Sequence, residues 1–248
     1  MVDDPELFVG GAALRILDGA APRVVGCHFE GNEVGDPGWG GAIYANLSSP
    51  AFLDNVVEGN TSMWADGGGV HVCVDCRPHA NPIVIANDII DNEGLYHGAG
   101  GIGAAYLRVF RHNNVHGNTT QGEPADLGWF NELLDEYPAW VTDPDLSKNW
   151  WGTTDMDAIE DAVFHGGDDP IYGVAQLEPI AEQARIDASP WAAITCREIR
   201  FASVGQEMPV YLTLYNPGAA DVDVLVALGL TYGDRVRMPY SGPLDLPG

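Results

Sequence analysis

The sequence predicts an all-β solenoid, and three observations support this prediction. A glycine pair, a variable apolar stretch and an Asn-x4-Asn motif recur four times within the first 118 residues, with Cys27 replacing the first Asn of repeat one. The glycine pairs lie 30, 28 and 32 residues apart, and seven residues separate each closing Asn from the next pair. The apolar runs are short and rich in Val and Ile, which favours strands over helices. A fixed period of this kind indicates stacked supersecondary units.

Equivalent positions of the repeats should stack in columns, because consecutive coils of such a ribbon pair in parallel about 4.8 Å apart. The first motif column holds Cys27, Asn55, Asn87 and Asn113. An Asn in a tight turn tolerates the left-handed conformation and bonds its own backbone, and we expect the Asn of the next coil to supply further hydrogen bonds. Cys27 should then be a small buried residue with a structural thiol. The following alternation predicts an inward apolar row: Phe29, Val57, Ile89 and Val115.

The segments after the fourth repeat are expected to close the solenoid. Asp126 and Leu127 stand where the next glycine pair is due, and the insertion 129–140 has an apolar spacing that predicts a short helix. Asn149 should restart the coil. A second short helix is predicted from residue 153 to about residue 164 as a helical cap, with Thr154 as its N-cap.

The pattern changes near residue 195 to alternation with period two, which predicts strands. The predicted strands cover residues 198–204, 209–216 and 221–228, with a turn at 216–219. These strands are too few for a complete β-sandwich, so we expect a partial one. The predicted domains are 1–192, the solenoid with its cap, and 193–248, the strand module.

The repeat GGAIYANLSSPAFLDNVVEGN (residues 40–60) is similar to those of right-handed parallel β-helix proteins, the pectate-lyase-like superfamily. The run NWWGTTD (residues 149–155) resembles the motif that often closes such helices in large bacterial surface and secreted proteins. The likeness covers about residues 7–180. It implies a right-handed β-helix of the uncharacterised secreted or surface type, and an extracellular or cell-surface location. The superfamily holds lyases, hydrolases, epimerases, tail spikes and adhesins, so the resemblance implies no single activity.

The charge balance restricts the possible partners. The chain carries 36 acidic against 11 basic residues, a net charge of −25, and Lys148 is its only lysine. Such a surface repels nucleic acid and anionic membranes, and it repels uronic-acid polymers unless cations bridge the two. The sequence has no signal peptide and no apolar run long enough to insert into a membrane. Both chain ends are abrupt, so we expect a piece of a longer, exported polypeptide.

The constant spacers should stack on one edge of the solenoid, where we expect a binding site. Trp64 and Tyr96 would be neighbours one coil apart, with Asp66 and His97 beside them. A flat apolar face next to hydrogen-bonding groups is what sugar rings require. Alternatively, the two rings only pack against each other and stabilise the loops. If the protein is an enzyme, Asp66, Asp91 and His97 are the first acid–base candidates.

Coil four concentrates positive charge in four side chains: Arg108, Arg111, His112 and His116. This group could bind a carboxylate or take part in β-elimination, in which a base removes the proton alpha to a uronate carboxyl. The alternative is that the arginines pair with nearby acids such as Asp88 and Asp91.

Two groups of residues have the chemistry of metal ligands. His71, Cys73, Cys76 and His79 have the ligand types of a small zinc site, but a local disulfide between Cys73 and Cys76, or free thiols, is the favoured alternative. Asp168 and Asp169 offer hard oxygen ligands for calcium, as do the acidic residues of 143–145 and 155–157. Their spacing matches no known calcium loop, so calcium is one possible cofactor and no cofactor is certain.

Two functions from different classes fit these observations. The first is a non-catalytic, exported β-helix module that recognises a polysaccharide or a cell-surface glycan. The second is a polysaccharide-active enzyme, a lyase or a glycoside hydrolase. The resemblance argues against the second, because the Asp trio of polygalacturonase-like hydrolases and the Asp-Pro-His-Glu signature of alginate epimerases have no counterpart here. Lys148 also stands apart from any acid cluster that would suit a calcium-dependent lyase.

Overall fold

The computed structural model is a mostly β protein built on a parallel β-solenoid of about four turns. It describes residues 9–35, 38–63, 67–72, 82–96, 98–105, 107, 109–129, 143–169 and 172–184, and the backbone of four later strands. The chain divides into two compact units, Met1–Arg185 and Ile186–Gly248.

Four sheets run along the solenoid, and the first four described coils each add one short strand to each sheet. Sheet A contains β2 (Leu14–Ile16), β7 (Ile43–Ala45), β11 (Val70–Val72), β15 (Ile102–Ala104), β20 (Leu127–Trp129) and β21 (Val163–Phe164). Sheet B contains β3 (Arg23–Val25), β8 (Ala51–Leu53), β12 (Ile83–Ile85) and β16 (Val109–Arg111). Sheet C contains β4 (His28–Glu30), β9 (Val56–Glu58), β13 (Asp88–Ile90) and β17 (Asn114–His116).

Sheet D contains β5 (Glu33–Val34), β10 (Thr61–Ser62), β14 (Glu93–Gly94) and β18 (Thr119–Thr120), and β19 (Glu123–Pro124) pairs antiparallel with β18. A separate pair joins β1 (Val9–Gly10) to β6 (Gly38–Trp39). We number the coils from their strands in sheet A, so that coil 1 begins at β2, coil 2 at β7, coil 3 at β11, coil 4 at β15 and coil 5 at β20.

Parallel pairing in register places the apolar residues of successive coils in columns. Phe29 pairs with Val57, Val57 with Ile89, and Ile89 with Val115, so the predicted inward row is confirmed. The last three of these side chains are buried in the core, and Phe29 packs against it half-buried. Burying a side chain of this size stabilises a fold by about 1.5–3 kcal/mol.

Single left-handed residues make the bends between sheets. The residues directly before the first motif column have φ between 55° and 63°: Gly26, Asp54, Ala86, His112 and Lys148. No described Asn has a positive φ, so the motif asparagines do not use the left-handed conformation that an Asn tolerates. The bend needs only one residue, and the Asn that follows it directs its amide into the solenoid.

The predicted stacking of Asn55, Asn87 and Asn113 is confirmed, and Asn149 extends this ladder by one residue. Asn87 Oδ1 accepts hydrogen bonds from the backbone N and from Nδ2 of Asn55, at 3.0 and 2.9 Å. Asn113 accepts from Asn87 in the same way at 2.9 and 3.1 Å, and Asn149 accepts from Asn113 at 2.9 and 3.0 Å. Each Nδ2 also donates to a carbonyl of the preceding coil. The prediction that Asn149 restarts the coil is therefore confirmed.

The second ladder ends on an acid. Asn32, Asn60, Asn92 and Asn118 repeat the same pattern of paired bonds. Asp126 Oδ1 takes the next position and accepts from the backbone N and Nδ2 of Asn118, at 3.1 and 2.8 Å. Burial raises the pKa of the Asp126 carboxyl to about 6, against the lowering effect of the bonds from Asn118.

The glycine pairs are not strictly equivalent, which corrects the predicted alignment. Ile43 pairs with Val70, so Gly40 lies level with Gly67 rather than with Gly68. Between coils 3 and 4 the predicted alignment holds, because Val70 pairs with Ile102. The corner is the three-residue segment before each strand of sheet A. The glycine pair fills its first two positions before β7 and its last two positions before β15. The strand that follows the corner sets the register.

Cys27 is exposed, so the prediction of a buried structural thiol is wrong. Its backbone N still donates to Asn55 Oδ1 at 3.0 Å, and its Sγ lies 3.5 Å from the carbonyl of Val25. Within the described part of the chain, coil 1 is covered by another coil on one side only. In this column the residues with a coil on both sides, Asn55, Asn87 and Asn113, are buried, whereas Cys27 is not.

The closing elements differ in detail from the prediction. Trp129 belongs to β20 and is buried, so it is not part of the insertion. Residues 130–142, which hold the rest of the predicted first helix, lie outside the described residues. The helix α1 (Met156–Ala162) is capped by Asp155, which accepts from Asp157 N at 3.2 Å, and not by Thr154. The helix ends early because Val163 and Phe164 form β21.

The described strands of the second unit form two antiparallel pairs. β22 (Trp191–Cys196) pairs with β23 (Val210–Tyr215), and β24 (Val222–Tyr232) pairs with β25 (Arg235–Leu246). The strands predicted at 209–216 and 221–228 are confirmed, the segment 198–204 lies outside the described residues, and sandwich packing stays a prediction. The predicted boundary after residue 192 falls inside β22. In the described portion of the chain, no helix has the length and apolar character to span a membrane.

Candidate functional site

The segments that follow β14 and β18 form what we call the sheet D corner: residues 95, 96, 98 and 121–123. Tyr96 lies two residues after β14 and is 51% exposed, and its carbonyl accepts a hydrogen bond from Nε2 of Gln121 in the next coil. Thr61 pairs with Glu93, which is the register that the constant spacers predict. Trp64, Asp66 and His97 lie outside the described residues, so their grouping with Tyr96 stays a prediction.

A polar column runs along sheet D towards this corner. Val34 and Ser62 are buried, so the residues before them face outward, because side chains alternate along a strand. The outward column is Glu33, Thr61, Glu93 and Thr119. Carboxylates therefore alternate with hydroxyls at steps of about 4.8 Å. Such a column supplies hydrogen-bonding groups at a regular spacing along the surface.

A cleft of about 250 Å³ opens at the sheet D corner. One wall is formed by Gly98, Thr120 and the β18–β19 hairpin, and the other by α1 and β21. Four carboxylic acids line it: Glu123, Glu160, Asp161 and Asp168. The cleft is thus rich in acceptors and strongly negative, which disfavours anionic ligands.

The walls of the cleft are held by local contacts. The Thr120 hydroxyl donates to the carbonyl of Gly98 at 2.9 Å, which joins two successive coils at the corner. Phe164 is 36% exposed, lines the cleft, and packs edge-on against Tyr172 with ring centroids 5.6 Å apart. An aromatic face is therefore available in the cleft as well as at Tyr96.

His165 fixes one of the cleft acids. Its Nδ1 accepts from the backbone N of Gly167 at 3.1 Å and of Ala175 at 3.2 Å, which assigns the ring proton to Nε2. That nitrogen lies 2.8 Å from Glu160 Oε2 and donates to it. Asp168 Oδ2 accepts from the backbone N of His165 at 3.0 Å. Glu160 and Asp168 are thereby positioned with one oxygen each engaged, which leaves the second oxygen of each to accept from a ligand hydroxyl.

Asp91, a predicted acid–base candidate, lies away from the cleft. It is an exposed bend residue with φ of 53° between β13 and Asn92. Its Oδ1 lies so close to Gly117 of the next coil that a Cβ added there would be 2.3 Å from it. We therefore assign Asp91 to the bend, where it packs over the neighbouring coil.

The basic cluster of coil four is partly used in an ion pair. Arg111 pairs with Asp145, and not with the predicted Asp88 or Asp91. The hydroxyl of Ser147, 2.6 Å from Asp145 Oδ1, and then Arg111 hold the pKa of the Asp145 carboxyl below its ordinary value. Asp88 instead accepts from Nδ2 of Asn114 at 2.6 Å.

The other members of that cluster are separated. His112 is a left-handed bend residue, and His116 belongs to β17 in sheet C. Arg108 lies outside the described residues. Arg111 is partly exposed, but an acid already neutralises it, which weakens the case for a carboxylate-binding site.

Of the predicted zinc ligands, the structure describes only His71. It is buried in β11 and stacks on Tyr44, with ring centroids 5.1 Å apart and planes at 13°. Cys73, Cys76 and His79 lie outside the described residues, so zinc, disulfide and free thiols all stay open.

The predicted calcium acids serve local backbone bonds. Asp143 Oδ1 accepts from Val174 N at 2.9 Å, Asp155 caps α1, and Asp168 bonds His165. Across the described ranges, only one group of three His, Cys, Asp or Glu side chains is close enough to share a metal ion, and it excludes Asp168 and Asp169. That group is His28, Glu30 and Glu58.

Sequence reasoning missed this trio and the acid-lined cleft. The three side chains are next to the inward residues Phe29 and Val57 in sequence. Aligning Phe29 with Val57 from the repeat would also have aligned the outward residues Glu30 and Glu58. The cleft has no such signal, because its walls come from distant segments. Comparison of the chain with protein-family models, with curated proteins and with solved structures found no match.

Proposed function

We propose that this chain is a non-catalytic, exported module that binds an uncharged polysaccharide at the sheet D corner. The observation that carries the proposal is the exposure of Tyr96 next to the cleft. Gly98, two residues after Tyr96, lines the cleft, and so does the aromatic side chain of Phe164. Sugars bind to flat apolar faces flanked by hydrogen-bonding groups. Tyr96 and Phe164 supply the faces, and Glu93, Thr119 and the cleft acids supply the acceptors.

Charge narrows the class of ligand. The net charge of −25 and the four cleft acids disfavour uronates and sulfated glycans. Neutral polysaccharides and those with amino sugars avoid this repulsion. Binding of a neutral polymer should also depend little on salt, because no ion pair is formed.

The proposal includes a right-handed β-helix of the pectate-lyase-like type and a place at the cell surface or outside the cell. Crossovers between parallel strands of one sheet are right-handed in about 98% of cases, which supports the handedness. Single-residue left-handed bends and in-register asparagine ladders support the likeness. This support comes from the fold alone, because the comparisons with known proteins found no match.

The experiment is a binding screen of the full chain against neutral, amino-sugar and uronate polysaccharides. We expect binding to a neutral or amino-sugar polymer, weakened about five- to tenfold by Tyr96→Ala and by Phe164→Ala, in line with the energy of an aromatic contact. Trp64→Ala tests the predicted neighbour in the same way. Val25→Ala is the control, because Val25 has a similar exposure of 37% on sheet B. Uronate-only binding, or unchanged affinity in both aromatic variants, would contradict the proposal.

The cleft acids favour one alternative, a glycoside hydrolase. Such enzymes use a pair of carboxyl groups that flank the scissile bond, and Glu160 is held in place by His165. A reducing-sugar assay and an absorbance assay for unsaturated uronates, over the same polysaccharides, separate the two functions. Turnover abolished by Glu160→Gln, Asp66→Ala or His97→Ala would replace the binding proposal by an enzymatic one.

A further inference from the structure

We propose that His28, Glu30 and Glu58 form a binding site for a divalent transition metal, which joins coil 1 to coil 2 on the outside of sheet C. The site lies on a different sheet from the sheet D corner. It therefore stands independently of the proposed carbohydrate function.

The three side chains converge because of the register of sheet C. His28 and Glu30 alternate with the inward Phe29 on β4, so both face outward, and Glu30 pairs directly with Glu58 on β9. His28 Nε2 lies 2.8 Å from Glu58 Oε1 and 3.9 Å from Glu30 Oε2. One ligand atom from each residue lies within 4.8 Å of the other two. A metal with bonds of about 2.0–2.2 Å to N and O therefore needs only small side-chain adjustments.

The repulsion between Glu30 and Glu58 favours a bound cation. Like charges placed directly opposite each other on neighbouring strands are destabilising. Glu30 and Glu58 are such a pair, in a chain whose net charge of −25 adds to the repulsion. A divalent ion between the carboxylates removes this repulsion, and the imidazole adds a third, neutral ligand.

The ligand set selects the class of metal. One imidazole nitrogen and two carboxylate oxygens suit Zn²⁺, Co²⁺ and Ni²⁺, whereas Ca²⁺ and Mg²⁺ prefer oxygen ligands alone. The His28 side chain is 52% exposed, so the ion can enter from solvent and water can fill its remaining positions. A bound ion would stabilise the junction of coils 1 and 2, because it binds the folded arrangement and not the unfolded chain.

The test uses the full chain and Co²⁺ as the probe, because its absorption bands report the ligand type. We expect one saturable site with the visible bands of nitrogen and oxygen ligation and without a thiolate charge-transfer band. His28→Gln and Glu58→Gln should weaken Co²⁺ binding at least about 100-fold, since the loss of even an outer-shell partner of a metal ligand costs 10–100-fold. Glu33→Gln is the control, because it removes an exposed carboxylate of the same coil on sheet D and should leave the affinity unchanged.

Thermal unfolding supplies an independent measurement. Saturating Zn²⁺ should raise the Tm of the wild type and of Glu33→Gln, and should leave that of His28→Gln unchanged. Circular dichroism of each variant before metal is added checks that the fold is retained. A thiolate band would assign binding to the cysteines instead. That result, the absence of saturable binding, or unchanged affinity in His28→Gln would overturn the proposal.

Discussion

Coil 1 and coils 2–4 carry the same repeat, yet they differ in how deeply the repeat is buried. Asn55, Asn60 and Asn87 are buried, whereas Cys27 is exposed and Asn32 is half-buried. Three apolar rows differ in the same way, whereas Ile16 of coil 1 is buried like its partner Ala45. Leu14, Val24 and Phe29 of coil 1 are only partly buried against the core, and their column partners in coil 2 are buried within it: Ile43, Phe52 and Val57.

This difference shows that a rung of the solenoid gains its stability from both of its neighbours. Energies in repeat proteins are approximately sums of intrinsic terms and nearest-neighbour terms. An interior Asn accepts bonds from one coil and donates to the next, while Cys27 contributes one backbone donor to a single neighbour. The same substitution should therefore cost much more in coils 2–4 than in coil 1.

The largest expected effect comes from the glycine corner. A Cβ added at Gly68 would lie 2.4 Å from the backbone oxygens of Glu93 and Gly100, which cannot move independently of their strands. We expect Gly68→Ala to lower the free energy of unfolding by about 3 kcal/mol or more, or to prevent folding. Gly26→Ala should cost only about 1–2 kcal/mol, because its Cβ would meet open space at φ of 61°. Urea unfolding measures both, and equal losses would show that close backbone contact at the corner does not set the cost of the substitution.

The second effect concerns the ladder itself. Asn87→Ala removes the acceptor for both donors of Asn55. The buried Asn113 Oδ1 loses the side-chain donor Nδ2 and keeps only the backbone N–H of residue 87. We expect a loss of about 2–3 kcal/mol, since each buried polar group left unsatisfied costs about 1–3 kcal/mol. The matched variant Asn32→Ala should cost about 1 kcal/mol. If Asn32→Ala were as damaging as Asn87→Ala, position in the stack would not control the energy.

The third effect depends on pH and arises at the far end of the second ladder. Because burial raises the folded-state pKa of Asp126 to about 6 from an ordinary 3.8, the folded protein binds the proton more tightly than the unfolded chain. This contribution to stability is fully present below about pH 4 and is lost as the pH rises through 6. Asp126→Asn should remove that dependence and stabilise the protein at pH 7–8.

Glu182→Gln is the control for the pH experiment, because it removes an exposed carboxylate far from the ladder in sequence. Urea unfolding between pH 4 and pH 8 should show the same slope for this variant and for the wild type. If Asp126→Asn keeps the wild-type slope, burial of this carboxyl is not what links stability to pH.

The smallest effect is expected in coil 1. In later coils the Asn Nδ2 donates to the Oδ1 of the next Asn. Cys27→Asn would add this hydrogen bond in coil 1, with Asn55 Oδ1 as the acceptor. The position is exposed, so the gain should be below about 1 kcal/mol. Thermal unfolding under reducing conditions measures it. A loss of more than about 1 kcal/mol would show that the thiol has a structural role after all.

Sequence reasoning succeeded where a physical requirement repeats in every coil. A buried amide must find partners, so evenly spaced Asn residues predicted the stacking of Asn55, Asn87 and Asn113. It failed at Cys27, because burial depends on what covers a coil as well as on the column. It also failed for Asp126, which joins the second ladder only because of how β20 follows the β18–β19 hairpin.

The candidate site was predictable only in part. Tyr96 follows from the constant spacer after sheet D, and its exposure agrees with a surface role. The cleft could not be read from the repeat, because Glu160 and Phe164 belong to the closing segment, where the period is lost. His28, Glu30 and Glu58 could have been found, since the outward columns of sheet C follow the same register as the inward row.

Nuclear magnetic resonance of the chain labelled at asparagine tests the central claim most directly. The claim is that the motif asparagines occupy adjacent rungs of one wound ribbon. We predict that the side-chain amide protons of Asn87 exchange slowly with solvent and show nuclear Overhauser effects to the side chains of Asn55 and Asn113. Rapid exchange at Asn87, with no cross-peak to either neighbour, would contradict the stacked ladder and the surfaces derived from it.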